Sequence, residues 1–523
     1  MGVAISLFIL LCALPVIYML GISFISTDGI FSLVNYRGLL TESRRRSLLL
    51  TSSMLGAGTA VLATLVGAPL GLLLARADLP VKRLLRLVLI IPLVMPPYIL
   101  ALAWIYIGGS AGLIAWITGH DLFSDWTYSL AGAIIVLGIS FYPLSMLATE
   151  AAAQRVDRRL EEAAMLVAHP RRVLWRITLP LIAPATAAAA LIIFVLAVSE
   201  FGVPGLLRVR IFTTEVFTAF SALYDFGAAT ALASPLLIVA LLAGWAANAI
   251  IRDSGDRLLA PRRSSASGLP LPLGKWRVPA LIFVLLIIAA FVALPLTILA
   301  AEAGRAERIV SAAGKSRQAI TNSLVLSTVS ATLIVLVAIL LGYWQGRAGT
   351  RMRRIVDLVF ILIFAVPSTV TGVGIIGLWN RAGAPGTVYS SPAIIVIACL
   401  ARFIPIAALV LAANVRQVPA SFEEAAEVAG AGWPRIFTRI VLPNISTGVG
   451  AAWVMSFIFA FGELGATALV APPGESTLPL RIYTIIANAP SSTVASLALV
   501  QTGIILAPLT LFGIFIRGKR AQS

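Results

Sequence analysis

The chain has 523 residues, 59% of them apolar and only 12% charged, with 39 lysines and arginines against 22 carboxylates. A soluble domain is nearer half apolar and a quarter charged, so this composition, with a mean hydropathy of +0.99, excludes an ordinary soluble protein. The net charge of +17 does not point to nucleic acid: no soluble basic domain exists to hold it, whereas basic loops orient membrane proteins and meet anionic lipid.

A bilayer core of about 30 Å needs roughly 20 apolar residues per helical crossing. Twelve such segments follow one another: 3–25, 49–75, 87–108, 128–149, 181–201 and 227–250, then 278–300, 322–346, 356–379, 392–413, 445–466 and 493–516. Strands of a membrane barrel are shorter and alternate in polarity, so the expected fold is an all-α membrane protein of twelve transmembrane helices. The first segment lacks a basic lead and is too long for a signal-peptide core, so it reads as the first membrane helix. Residues 252–277, rich in Ser, Pro, Gly and Arg, read as a cytoplasmic linker between two six-helix units, 1–251 and 278–523.

The two units are copies. Under a shift of 271 positions Ser52 meets Ser323, Gly71 meets Gly342, Arg76 meets Arg347, Arg83 meets Arg354 and Pro96 meets Pro367. Further on the shift falls to 262–263, where Glu162 meets Glu424, Arg176 meets Arg439, Pro180 meets Pro443 and Glu200 meets Glu463. An even number of crossings gives both copies the same orientation, a parallel repeat about an axis along the membrane normal. Placing the 2–3 loops, the 4–5 loops, the linker and the C-terminus inside puts two thirds of the lysines and arginines there, with both termini cytoplasmic. Arg37, Arg44 and Arg46 and their mates Arg308, Lys315 and Arg317 then lie outside, either facing a partner or serving as interfacial anchors.

Each 4–5 loop reads as a helix–turn–helix. The second runs Ser421-Phe-Glu-Glu-Ala-Ala-Glu-Val-Ala-Gly430-Ala-Gly-Trp-Pro434 and continues to Pro443. Ser421 and Glu424 form an S-x-x-E capping pattern, Gly430 and Gly432 permit a sharp turn, and Pro434 suits a first helical turn. An Ala-rich helix with acidic residues ahead of basic ones suits docking in a groove of another protein. Its presence at equivalent points of a repeated membrane unit argues against a mere connector.

These loops resemble the Glu-Ala-Ala loops of ABC importer permeases, through Glu162, Ala163, Ala164, Leu179 and Pro180 in one copy and Glu424, Ala425, Ala426, Gly430, Leu442 and Pro443 in the other. The resemblance implies the type I importer fold, with each loop seated in a cleft of a cytoplasmic ATPase. Arg176 and Arg439 lie within the matched stretch, and Ala168 stands at or beside the glycine position of the first loop, which is one residue shorter. The implied partners are two cytoplasmic ATPase subunits, a periplasmic or lipid-anchored solute-binding protein and membrane lipid. The implied place is the bacterial inner membrane, and ATP is held by partner subunits, with no cofactor in this chain. Ser199-Glu-Phe-Gly-Val-Pro-Gly-Leu-Leu207, Phe212-Thr-Thr-Glu-Val-Phe217, Tyr224-Asp-Phe-Gly-Ala-Ala229, Phe461-Gly-Glu-Leu-Gly-Ala-Thr467 and Thr477-Leu-Pro-Leu-Arg-Ile-Tyr483 resemble the fused double permeases for ferric iron, near relatives of those for thiamine. Thiamine, polyamine, phosphonate and sulfate stay open as solutes.

Gly314-Lys315-Ser316 lacks the first glycine of a P-loop, and Gly372-Val-Gly-Ile-Ile-Gly377 lies in an apolar segment where glycines serve close helix packing, as Gly67 and Gly71 do. Cys12 and Cys399 read as small core residues, and His120 and His169 have no metal-ligand spacing. Glu200 and Glu463, mates at the ends of the fifth segments, are either paired carboxylates on a cation pathway or caps at the outer interface. A secondary transporter also uses twelve helices and a repeat, but does not need two Glu-Ala-Ala loops.

Overall fold

The computed structural model describes residues 2–24, 42–121, 123–221, 226–258 and 274–522. Arg37, Tyr224, Asp225 and linker residues 259–273 lie outside them. The described residues are helical, with no strand. Among the described residues, ten helices are long and apolar enough to cross a membrane, and two bent helix pairs raise that to as many as twelve. The sixth helix, Phe226–Leu258, runs into the stretch expected as linker.

Helix breaks fall at prolines. In the third segments Met95 and Val366 are extended, because the residue before proline is pushed out of the helical region. Pro96 and Pro367 then begin the next helix, and in the second copy Thr350–Ala365 and Ser368–Trp379 meet at 92°. Four one-turn π segments, Ile9–Ala13, Leu174–Thr178, Ala289–Ala293 and Phe437–Val441, each precede a Leu-Pro pair. Proline has no N–H to give and its ring crowds the carbonyl four residues back, so the helix widens for one turn and then continues.

The chain divides into two compact units that are discontinuous in sequence. One comprises Met1–Thr41, Glu215–Leu237 and Arg305–Ser523, the other Glu42–Thr214 and Ile238–Gly304. Compactness therefore does not follow the contiguous halves 1–251 and 278–523, because each unit contains the first span of the opposite half. In one unit, Gly374 and Gly377 abut the Pro15 carbonyl and the Tyr18 ring of span Gly2–Ile22. The glycines of the G-x-G-x-x-G run thus serve close packing. In the other unit, the helix Leu294–Ala303 packs on Pro97–Gly108.

Each unit is built on a seam between a long second span and the fourth span. Ser43–Arg76 packs on Leu130–Arg155, and Arg317–Arg347 packs on Ala393–Val415. Lipid tails are as apolar as the helices, so close van der Waals contact has to hold them together. A Cβ on Gly67 would strike the Tyr142 carbonyl and one on Gly71 the Met146 carbonyl. On Gly342 it would sit 2.9 Å from Leu411 Cβ and 3.0 Å from the Ala408 carbonyl. The fifth spans complete each three-helix core. Gly314, in a helical segment Ala306–Lys315, begins no phosphate loop.

Gly71→Val should destabilise the detergent-solubilised protein by about 1–3 kcal/mol through overpacking. Gly503→Val, where the added atoms meet open space, should shift it by less than about 0.5 kcal/mol. Thermal unfolding of the two variants checks this, and equal effects would contradict the seam.

Candidate functional site

The first 4–5 loop carries the helix Arg158–Met165, started by the Asp157 carboxylate accepting the Arg159 N–H at 2.9 Å. The second carries Ala420–Val428. The capping box expected at Ser421 and Glu424 does not form. Pro419 occupies the N-cap, so the helix is already under way at Ser421 and no side chain caps it. Gly430 adopts a φ of +79°, the left-handed turn that glycine makes without Cβ strain, and Pro434 opens the next helix. The first loop has no left-handed residue: Val167 and Ala168 both donate to the Ala164 carbonyl, and His169 leads into Pro170–Val173. Ala168 replaces the glycine because its turn closes without positive φ.

The two adjacent glutamates of each loop have different fates, because neighbours on a helix point about 100° apart. Glu162 and Glu424 are exposed, as are Ala163, Ala425, Arg176, Gly430 and Arg439, while Ala164 and Ala426 are half-buried. Apolar residues stand out beside them: Leu166 and Val167 are each 87% exposed and Val428 91%. Glu161 and Glu423, one position earlier, turn inward and are buried.

Glu161 meets the last residue of the second span. Arg76 Nη1 donates to its Oε2 at 2.8 Å and Nη2 to its Oε1 at 3.1 Å, while the Thr178 hydroxyl donates to Oε1 at 2.7 Å. In the other copy, Arg347 Nε donates to Glu423 Oε1 at 2.8 Å and its Nη2 to the Val418 carbonyl at 3.0 Å. The Tyr343 hydroxyl donates to Glu423 Oε2 at 2.8 Å. A buried ion pair is tolerated only with such geometry and added hydrogen bonds. Sequence reasoning matched Arg76 with Arg347 but missed their partners. The signal was the doubled glutamate, of which a helix can bury only one.

A second tie joins the third segment to the fourth span. Arg86 pairs with Glu150, its Nε donating at 3.1 Å, and Gln154 donates to the same carboxylate at 3.2 Å. The mate of Arg86 is Asp357, where Gln345 bridges instead, donating to Asp357 and accepting from Arg416 at 3.1 Å. The tie survives with its polarity reversed.

Glu200 and Glu463 both sit where a fifth span ends. Glu200 Oε1 accepts the Gly202 N–H and Glu463 Oε1 the Ala466 N–H, each at 2.9 Å, at the starts of the short helices Gly202–Leu206 and Thr467–Val470. Glu463 has a further neighbour that sequence reasoning missed: Arg402, mid-way along Ala393–Val415, with Nε 3.3 Å from Glu463 Oε2. Its Nε and Nη1 are buried without a hydrogen-bond acceptor, and the guanidinium lies 5.7 Å from the Phe403 ring centre. A lone arginine inside an apolar run was the signal.

On the expected outer face, Arg44 and Arg46 are exposed near the start of Ser43–Arg76. Lys315 and Arg317 are exposed at the junction of Ala306–Lys315 and Arg317–Arg347. Lys315 lines a cavity of about 440 Å³ with Glu475 and Arg481. Cys12 and Cys399 are buried, Cys12 Sγ lying 3.7 Å from the Leu400 carbonyl. Among the described residues, no group of three or more His, Cys, Asp and Glu side chains is placed to hold a metal.

Two copies of a multi-span helical unit, each closed by a latched polar loop, define a membrane permease. The chain belongs to the family described as binding-protein-dependent transport system inner membrane component, matched over residues 67–262 and 338–519. This is a transport family, not an enzyme family. The chain is 24% identical over 453 residues to an Fe(3+)-transport system permease protein of Haemophilus influenzae, covering 85% of each. It is 26% identical over 400 residues to a ferric transport system permease protein of Actinobacillus pleuropneumoniae, covering 72% of this chain and 58% of that one. A molybdenum transport system permease protein of Mycobacterium bovis is 34% identical over 168 residues, 31% of this chain and 62% of that one.

Glu463→Gln should destabilise the protein by about 3–5 kcal/mol, because it leaves the Arg402 charge buried and unopposed. Replacing both by methionine should recover most of that loss in thermal unfolding. A double variant as unstable as the single one would show that the pair's charge is not the issue.

Proposed function

We propose that this chain is the membrane-spanning component of an ATP-driven, binding-protein-dependent importer, with ferric iron as cargo. The observation that carries the reading is the construction of the two 4–5 loops. At repeat-equivalent positions each presents a glutamate and bare apolar side chains outward while its inner face is tied to the second span. Isolated apolar residues on a surface are ordinary, but Leu166 and Val167, in the turn after one short helix, and Val428, at the end of the other, stand out beside exposed charged residues and suit insertion into another protein. Two cytoplasmic ATPase subunits are the partners of these loops, with Glu162, Ala163, Ala164, Ala168 and Arg176 on one and Glu424, Ala425, Ala426, Gly430 and Arg439 on the other. ATP is bound by those subunits.

Ferric iron is favoured because the two ferric permeases align with most of this chain, whereas the molybdenum permease aligns with a third of it. Glu200 and Glu463 are the candidate pathway carboxylates. Arg44, Arg46, Lys315 and Arg317 are the candidate contacts for a solute-binding protein outside, and both termini are cytoplasmic. ATP binding draws the ATPase subunits together, the loops follow, and the pathway opens outward to the loaded binding protein. Hydrolysis resets it. Such a shift requires the ATP-bound partner to favour one state.

A second reading, an oxyanion cargo, is favoured by one feature: the Arg402 guanidinium, with buried donors lacking acceptors. Uptake of labelled ferric iron and of molybdate by proteoliposomes with ATPase, ATP and binding protein decides between them. Iron uptake that stops without ATP supports the first, molybdate uptake the second, and uptake independent of the ATPase would indicate a secondary carrier. Glu162→Lys combined with Glu424→Lys should cut ATPase co-purification at least tenfold while leaving the melting temperature unchanged, since both side chains are exposed.

A further inference from the structure

We infer that the second span of each half is a transmission rod, clamped at both ends by repeat-equivalent polar contacts, that carries loop movement to the segment after the fifth span. The inference rests on the reading of the 4–5 loops given above. Its inner clamps are Arg76 with Glu161 and Arg347 with Glu423.

The outer clamps are serines. The Phe212 N–H donates to Ser52 Oγ at 3.0 Å, and the Leu478 N–H donates to Ser323 Oγ at 2.6 Å. Phe212 and Leu478 are the first residues of Phe212–Ser221 and Leu478–Ile485, where a helix has no internal acceptor for its N–H groups. The span's own serine replaces a local cap. All four groups are buried: Ser52, Ser323, Phe212 and Leu478 each expose only a few per cent of their surface.

The clamps are equally spaced in the two copies. From Ser52 to Arg76 and from Ser323 to Arg347 is the same interval, 24 residues, or about 36 Å of α-helix, enough to cross the apolar core. Between the clamps the helix is unbroken in both copies, although Pro69 lies within the first. The third segments break at Pro96 and Pro367, and the fifth spans widen at their π turns. Displacement of a loop helix is therefore passed along the second span, while its other exits are bent. The far end of that span holds the segment that starts at Glu200 or Glu463. The Thr213 hydroxyl donates to the Glu200 carbonyl at 3.0 Å, which joins the clamped helix to that break.

The wild-type complex with its ATPase subunits, reconstituted with loaded binding protein, is compared with three paired variants. In Ser52→Ala with Ser323→Ala, co-purification of the ATPase and basal ATP hydrolysis should be retained. Stimulation by loaded binding protein should fall at least fivefold, as should solute moved per ATP, and Ser52→Thr with Ser323→Thr should restore both by returning the hydroxyl. Glu161→Gln with Glu423→Gln should give the same loss from the opposite end. Unchanged solute per ATP in the alanine pair would overturn the rod, whatever happens to the glutamine pair. Failure of the wild-type chain to retain an ATPase would instead remove the functional reading on which the inference rests.

Discussion

The structure depends on how closely the second and fourth spans of each half approach. In lipid no hydrophobic effect pulls two apolar helices together, so they associate only where backbones can meet. Gly67 and Gly71 in one copy, and Ala338 and Gly342 in the other, provide that surface. The approach brings the end of the second span beside the 4–5 loop that follows the fourth. Arg76 can then reach Glu161 out of water, and Arg347 can reach Glu423 at a partly buried site. A guanidinium buried as deeply as that of Arg76 would be untenable without its carboxylate, and each carboxylate has a hydroxyl donor as well.

Each 4–5 loop consequently has two faces with separate chemistry. The inward face is fixed by charge-assisted hydrogen bonds, which are directional and resist sliding. The outward face exposes Glu162 or Glu424 and a few apolar side chains. The duplication gives the chain two such loops, and the differences between them show what is dispensable. A left-handed glycine serves one turn and an ordinary α-type turn the other, while the arginine–glutamate pair, buried in the first copy and partly buried in the second, occurs in both.

Much of this was legible in the sequence. Hydropathy located the spans, the 271-residue shift exposed the repeat, and Pro96 and Pro367 marked real breaks. The Leu-Pro pairs at 14–15, 179–180, 294–295 and 442–443 marked the π turns, a regularity that became visible only with the helices in place. Lateral packing was not legible. Nothing in an apolar stretch says which neighbour it meets, so the placement of Gly2–Ile22 with the second half's residues, and of Arg277–Ala303 with the first half's, had no signature. The capping box at Ser421 failed because a proline two residues earlier set the helix start. Glu463 read as one of a symmetric pair of carboxylates, but Arg402 makes its surroundings unlike those of Glu200, where the repeat has Ser140 in place of the arginine.

The central claim is that both loops are exposed on the cytoplasmic side and are covered there by a partner ATPase. Single cysteines at positions 162 and 424 test it directly, because Cys12 and Cys399 are buried and give little background. A membrane-impermeant maleimide should label both positions in inverted vesicles and neither in right-side-out vesicles, and added ATPase subunits should block the labelling. Labelling of either position from the outside, or labelling undiminished by the ATPase, would contradict the account.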